Sequence, residues 1–476
     1  MNFNTSHAPL SSAPELCKMG AAQLTQQFRS GALSPVEVTQ SVLQHAQEVQ
    51  ARLNAFTLID HQGALDLAKA SEKRWRQGAP LSPIDGVSTT IKDLVWFKDR
   101  SIRYGSLTSA AEPCAEDAPC VSNLRANGAV FIGVTTSPEM GWKAVTDSKA
   151  FGITRNPWNP EMTSGGSSGG AAVAAATGAG VLHVGTDGGG SIRIPASFCG
   201  IVGHKPTFGT VPAFPASAFG TVAHVGPMAR TVDDVTRMLS AMSGRDLRDW
   251  AQGWKTVTEF ELQEAQLAKT RVGYWSTPAS GALDSDISRA TQVALERLRA
   301  AGASIQAISL PEEDLQAVFH AHWFAGAANR LSPIAAAHYP EMDEGLVHVA
   351  QLGARMSAPE LVAHQVRRAN FGAAMDRLLS QFDVLISPAV AVLPFQAGLE
   401  VPKDSGLQRW TDWAGFSYPL NLSQQPACVI PFASKRLDAG GLLPIGLQII
   451  GARGADAQVL SIAQAIERMD FEHIFV

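Results

Sequence analysis

Two serines follow glycine-rich runs in this sequence: Ser167 and Ser168 within Gly165-Gly166-Ser167-Ser168-Gly169-Gly170, and Ser191 after Asp187-Gly188-Gly189-Gly190. Glycine has no Cβ, so backbone there can come close to a ligand. The consecutive N–H groups of Gly188, Gly189, Gly190 and Ser191 can converge on one point, as an oxyanion hole requires. A serine at the end of such a run can attack a carbonyl held in it, provided a base takes its proton. Read alone, the same residues also fit two tight turns with exposed serines.

Other glycine-rich chemistries fit less well. A phosphate loop needs Gly-Lys-Ser/Thr at its end, and no lysine follows here. Gly178 and Gly180 have only the first spacing of a dinucleotide fingerprint. The pattern G-x-S-x-G is met around Ser167 and around Ser168, but a nucleophile elbow needs a buried strand just before the serine. Asn-Pro-Glu-Met-Thr-Ser precedes instead and cannot be that strand.

The elements that must carry these turns can be read from the surrounding pattern. A helical pattern runs from 13 to about 50, and Ser34-Pro35-Val36-Glu37 is a capped helix start. Residues 84–91, IDGVSTTI, read as a short strand ending at Lys92, and 129–134 as a second. An Ala-rich helix from 171 is stopped by Gly178 and Gly180, and a strand, VLHVGT, leads into the second glycine run. A helix follows Thr231, with Asp234 completing a weaker capping box. Further strands are expected at 271–275, 304–310, 382–390 and 443–451, with helices at 284–301 and 455–468. Residues 1–10 read as a loose tail and 245–270 as a polar helical excursion. Strands alternating with helices predict an α/β fold, a single large domain with a mixed, mostly parallel central β-sheet flanked by α-helices.

Composition narrows the function. Hydrophobic residues are 45% and charged residues 17%, a globular balance. Lys and Arg number 38 against 43 Asp and Glu, so nothing basic points to nucleic acid or an anionic membrane. The five cysteines are scattered, without a C-x-x-C pair, and predict neither a zinc site nor a disulfide framework. The first twenty residues lack the basic start and apolar run of a signal peptide. A cytoplasmic protein without a membrane span is expected.

The runs GGSSGG and TDGGGSIRIPASFCGIVGHKPT resemble the amidase-signature family. The Ser167-to-Ser191 spacing is similar to that family's, and so is Ile91-Lys92-Asp93-Leu94 ahead of it. FDVLISPAV, YPLNLSQQPACVIPF and LPIGLQIIGARGADAQVLSIAQAIE extend the likeness over nearly the whole chain, with the core signature at 84–235. The resemblance implies one domain over 1–476 and a Ser–cis-Ser–Lys triad. Ser191 would be the nucleophile that carries an acyl group, Ser167 the bridging serine and Lys92 the base. Ser168 is similar to a supporting serine. Asp187 and Arg193 match a pair that braces the nucleophile loop, although a plain structural ion pair stays open. A cis peptide is implied before Ser167. His204 stands where the family usually has an aliphatic residue.

For Lys92 the local sequence alone favours a surface lysine paired with Asp93. As a base it must be neutral, and burial at a strand end is the physical condition for that. No histidine is needed, so His183, His204 and His224 are expected in packing or surface roles. Met140, Gly141, Trp142, Gly165 and Phe219 are the expected substrate contacts. Phe208, Phe214, Trp323, Phe324, Trp410, Trp413 and Phe416 could join them or belong to the core, and 207–224 could form a mobile wall.

The activity implied is hydrolysis of a carbon–nitrogen bond in a small apolar or aryl amide, with carbamate (urethane) and ester as further options. No metal or cofactor is expected. The partners are a small substrate and water, and the chain is a monomer or homodimer. The rival is the glutaminase A-type subunit of a tRNA-dependent amidotransferase, which would work with partner subunits.

Overall fold

The β-branched and apolar runs pair into one eleven-stranded sheet. The computed structural model describes residues 9–253, 257–438 and 440–469. The strands are β1 (Phe56–Ile59), β2 (Ser88–Lys92), β3 (Val130–Thr135), β4 (Leu182–Asp187), β5 (Val202–Lys205), β6 (His224–Ala229), β7 (Arg271–Trp275), β8 (Ser304–Ile308), β9 (Val384–Pro388), β10 (Ala427–Arg436) and β11 (Leu442–Ile450). Their spatial order is β1-β3-β2-β4-β6-β5-β10-β11-β9-β7-β8.

Parallel pairing is confined to two blocks, β3–β2–β4 and β9–β7–β8. The strands between them pair antiparallel. The reason lies in the connections. Parallel neighbours need a crossover, usually a helix, whereas β5 returns to β6 through a helix-poor loop and β10 turns directly into β11.

Six helices position the features used below: α1 (Pro35–Leu53), α2 (Gly169–Thr177), α3 (Arg193–Cys199), α4 (Val232–Met242), α5 (Leu315–Leu331) and α6 (Asp456–Glu467). The first forms as its sequence predicts. Ser34 Oγ accepts the Val36 N–H at 3.0 Å, and Glu37 accepts the Ser34 N–H at 2.8 Å. Helix α2 is buried along its whole length, and its small side chains let it pack close to the sheet. At α4 the expected box is made on one side only. Thr231 caps Asp234, but the Asp234 carboxylate turns to the N–H of Ala21 at 2.8 Å.

Residues 245–270 do not form the expected helix. Within the described residues, turns at 245–253 are followed by chain without regular structure, and only Leu267–Lys269 make a 3-10 turn. Ser240 and Ser461 hydroxyls accept the N–H groups of Phe260 and Gln263 at 3.2 and 3.0 Å. These bonds hold the strap across α4 and α6 and replace those a helix would make internally. The expected tail falls mostly outside the described residues, with Pro9–Ser12 in a 3-10 turn. One continuous apolar core runs from Ala13 to Ile466. No described helix is long and apolar enough to cross a membrane.

Candidate active site

Strand β2 ends by delivering Lys92 into the interior, where its side chain is fully buried. Desolvation holds its pKa well below the ordinary lysine value, against the opposing charges of Asp187 and Asp93. The neighbouring Asp93 is not its surface partner. That carboxylate accepts the N–H groups of Arg103 and Gly105 at 2.8 and 2.7 Å, and burial raises its pKa to about 7.

Lys92 Nζ lies 2.7 Å from Ser167 Oγ, 2.8 Å from Ser168 Oγ and 2.8 Å from Thr186 Oγ1. Ser167 and Ser168 sit in the turn that opens α2, after a cis peptide between Gly166 and Ser167. Thr186 comes from β4. A neutral lysine donates two hydrogens and accepts one. Ser168 cannot supply that one, because its hydroxyl donates to the Thr186 carbonyl at 3.1 Å. On a neutral Lys92 the hydroxyl that donates to Nζ is therefore that of Ser167 or Thr186.

The Ser191 turn is fixed by the Asp187–Arg193 pair. Both side chains are fully buried, with two N–O contacts of 3.0 Å. Burial alone would raise the Asp187 carboxyl, but the Arg193 charge and the hydrogen bonds from Arg193 and Asn421 hold it below the usual range. Arg193 also donates to the Ser417 carbonyl at 3.0 Å, Gln448 Oε1 at 2.9 Å and Asn421 Oδ1 at 2.7 Å.

This brace changes the set of expected oxyanion donors. The Gly190 N–H points to Asp187 Oδ1 at 2.7 Å and is not free for a ligand. The N–H groups of Gly188, Gly189 and Ser191 have no acceptor among the described residues. Behind the turn lies an aromatic wall. A Cβ on Gly188 would come 2.8 Å from Trp323, and one on Gly189 would come 2.6 Å from Trp410.

Ser167, Thr186, Gly188 and Ser191 line one cavity of about 560 Å³. Of the expected substrate contacts, Met140, Gly141 and Phe219 line it. Trp142 and Gly165 do not. Trp142 is buried beside Gly345, and its carbonyl accepts the Trp323 indole N–H at 3.0 Å, so it supports the wall from behind. Gly165 packs on Ile194, Pro195 and Phe198 and holds the serine turn against α3. Phe208, Phe214 and Trp323 also face the cavity. Phe324, Trp410, Trp413 and Phe416 lie in the apolar core.

Much of 207–224 forms a cavity wall fastened at both ends. Asp249 accepts the Ala213 N–H at 2.9 Å, while Arg368 and Gln424 donate to the Thr221 carbonyl at 3.0 and 3.1 Å. The three histidines are buried. His183 bonds Thr90 and His204 bonds Asp456, which gives the polar residue at 204 a partner. His224 borders the cavity, and burial keeps it neutral.

Thr186, Asn421 and Gln448 are site residues that sequence reasoning passed over. Gln448 did carry a signal, as a lone polar residue inside an apolar strand needs a buried partner.

A family model described as Amidase matches residues 37–460. An acylamidase of Rhodococcus erythropolis is 30% identical over 457 residues, spanning 94% of this chain and 95% of that protein. The A-type subunit of the glutamyl-tRNA(Gln) amidotransferase from Symbiobacterium thermophilum is also 30% identical, over 96% of this chain and 97% of its own length. The crystal structure of a bacterial aryl acylamidase superposes with a TM-score of 0.86 at 26% identity, covering 96% of this chain and 98% of the other. The chain belongs to the amidase-signature family and is an amidase, a hydrolase of carbon–nitrogen bonds.

Proposed function

We propose that Ser191 attacks the carbonyl of a small apolar or aryl amide and carries the acyl group. The reading rests on one observation above all: the fully buried Lys92 is bonded at 2.7 Å to Ser167, which lines the same cavity as Ser191. Neutral Lys92 takes the Ser167 proton as Ser167 takes that of Ser191. The developing oxyanion lies on the N–H groups of Gly188, Gly189 and Ser191. The same path in reverse protonates the leaving amine, and water then releases the acyl group. Ser168 orients Lys92, and the Asp187–Arg193 pair holds the turn.

Phe214, Phe219 and Trp323 supply apolar and aryl contact area to the substrate. Carbamates (urethanes) and esters present the same carbonyl geometry and are secondary substrates. The enzyme acts in the cytoplasm as a monomer or homodimer, with water as the second reactant. Turnover screened over aryl amides, aliphatic amides, carbamates and esters tests the substrate class. A Ser191→Ala variant that kept full activity would overturn the mechanism.

The likeness to the A-type component of amidotransferases favours a second reading, a glutaminase working with partners. Glutamine hydrolysis by the protein purified alone, compared with the same protein purified from its source with bound partners, separates the two.

A further inference from the structure

The rim of the cavity carries a cation whose hydrogen-bonding edge is open. Arg330, near the end of α5, lies over the Tyr104 ring with its guanidinium carbon 4.3 Å from the centroid, and both line the cavity. Among the described residues the Arg330 side chain makes no hydrogen bond or ion pair. Stacking uses the face of the guanidinium and leaves its N–H edge free, and that edge matches a carboxylate.

Tyr104 has a free donor of its own. Its hydroxyl accepts the Trp96 indole N–H at 2.6 Å, which fixes the oxygen, while its hydrogen has no acceptor among the described residues. Two donors thus face the same space without an acceptor.

The other charged groups lining the cavity are already engaged. Arg248 bonds Asp246 and Glu116 at 2.8 and 2.6 Å. Asp249 accepts the backbone N–H groups of Ala213 and Ala251. The lining therefore offers one open cation and no open carboxylate.

This subsite is connected to the reacting centre. Trp323 and Arg330 are seven residues apart on α5 and so share a face. The Tyr104 carbonyl accepts the Met140 N–H at 2.6 Å, and a Cβ on the adjacent Gly141 would come 3.4 Å from Ser167 Oγ. A substrate whose carbonyl lies at Ser191 can run past Met140 to Tyr104 and Arg330.

We infer that Arg330 and Tyr104 form a carboxylate subsite, so that the preferred substrates are amides with an apolar body and a carboxylate remote from the scissile bond. The inference builds on the assignment of the reacting end to Ser191, but it is tested by binding and not by turnover.

Calorimetry on the Ser191→Ala variant, which cannot form the acyl-enzyme, compares ω-carboxyalkanoyl anilides with their neutral isosteres. Glutaranilic acid against 5-methylhexananilide is one such pair, and shorter and longer spacers complete the series. A second series places the carboxylate on the anilide ring. At the best spacer the carboxylate binds about tenfold tighter or more than its isostere. That preference shrinks as salt rises from about 0.02 to about 0.5 M. Adding Arg330→Met brings the ratio close to unity, and adding Tyr104→Phe lowers it part of the way. Equal or weaker binding of the carboxylate at every spacer, no binding by any carboxylate, or a ratio unmoved by Arg330→Met would overturn the subsite. Failure of the Ser191 assignment shows separately, as turnover surviving in Ser191→Ala.

Discussion

Asp187 Oδ1 accepts the N–H of Gly190 at 2.7 Å, from within the turn that presents Ser191. The contact sorts the donors of that turn into one held by the protein and three left open. Asp187→Ala removes this anchor and leaves Arg193 buried without a carboxylate. Breaking a buried pair from one side costs about 3–5 kcal/mol. Denaturant unfolding should report that loss, with activity falling alongside. A loss below about 1 kcal/mol, the range of an exposed pair, would show that the pair carries little of the turn's stability.

Lys92 accepts a proton only when neutral, and burial lowers its pKa well below the ordinary value. The rate constant kcat/KM should therefore rise with pH through that lowered pKa and stay level above it. An acid limb at the ordinary lysine position would refute the assignment. Lys92→Met should remove the limb together with about 10⁴-fold or more of the rate, the scale seen when a catalytic unit loses a member.

The same shift acts on stability. Between the lowered pKa and the ordinary value, the unfolded chain binds more protons at Lys92 than the folded one does. The Lys92 contribution to stability therefore rises with pH across that window. Unfolding free energies of the wild type and Lys92→Met, measured from acid to alkaline pH, should shift in favour of the wild type as pH increases. A constant difference would contradict a neutral buried lysine.

Gly189→Ala places a methyl group 2.6 Å from Trp410 and 2.8 Å from Phe319, both buried. The turn must move, and its N–H groups move with it. Loss of one such donor costs about 10²–10³ in kcat. Steady-state kinetics on a variant that keeps its unfolding midpoint should show that drop. An unchanged kcat would remove these N–H groups from the mechanism.

Thr186→Val takes one hydroxyl from Lys92 and leaves Ser167 and Ser168 in place. Since Ser168 is committed to the Thr186 carbonyl, the lysine keeps its contact with Ser167 but loses an orienting partner. A fall of about ten- to a hundredfold in kcat/KM is expected, the worth of one hydrogen bond to a charged or ionising group. Loss as complete as in Lys92→Met would instead make Thr186 the bridging hydroxyl.

The strand ends that deliver Lys92 and Asp187 were legible in the sequence, because short β-branched and apolar runs stop at those residues. The two serine turns were legible from their glycines. The burial of Lys92 was not, since its hydroxyl partners lie 75 to 94 residues away. Trp142 stands close in sequence to Met140 and Gly141 but faces away from the cavity. The backbone has positive φ at both Met140 and Gly141, a local reversal that no periodicity announces. The strap at 245–270 was misread because its polar composition fits a surface helix, while its hydrogen-bond partners at Ser240 and Ser461 lie outside the segment.

The Arg193 clasp has a consequence for how the protein is made. Its partners at Ser417, Asn421 and Gln448 follow it by 224 to 255 residues. Chains are synthesised from the N-terminus, so the ribosome delivers Ser191 long before the groups that hold its loop. Throughout that interval the nascent polypeptide carries Lys92, Ser167 and Ser191 yet lacks the groups that clasp the Ser191 turn. The clasp on the Ser191 turn is complete only once Gln448 in β11 has docked, and the proposed mechanism predicts that chains ending before it are inactive.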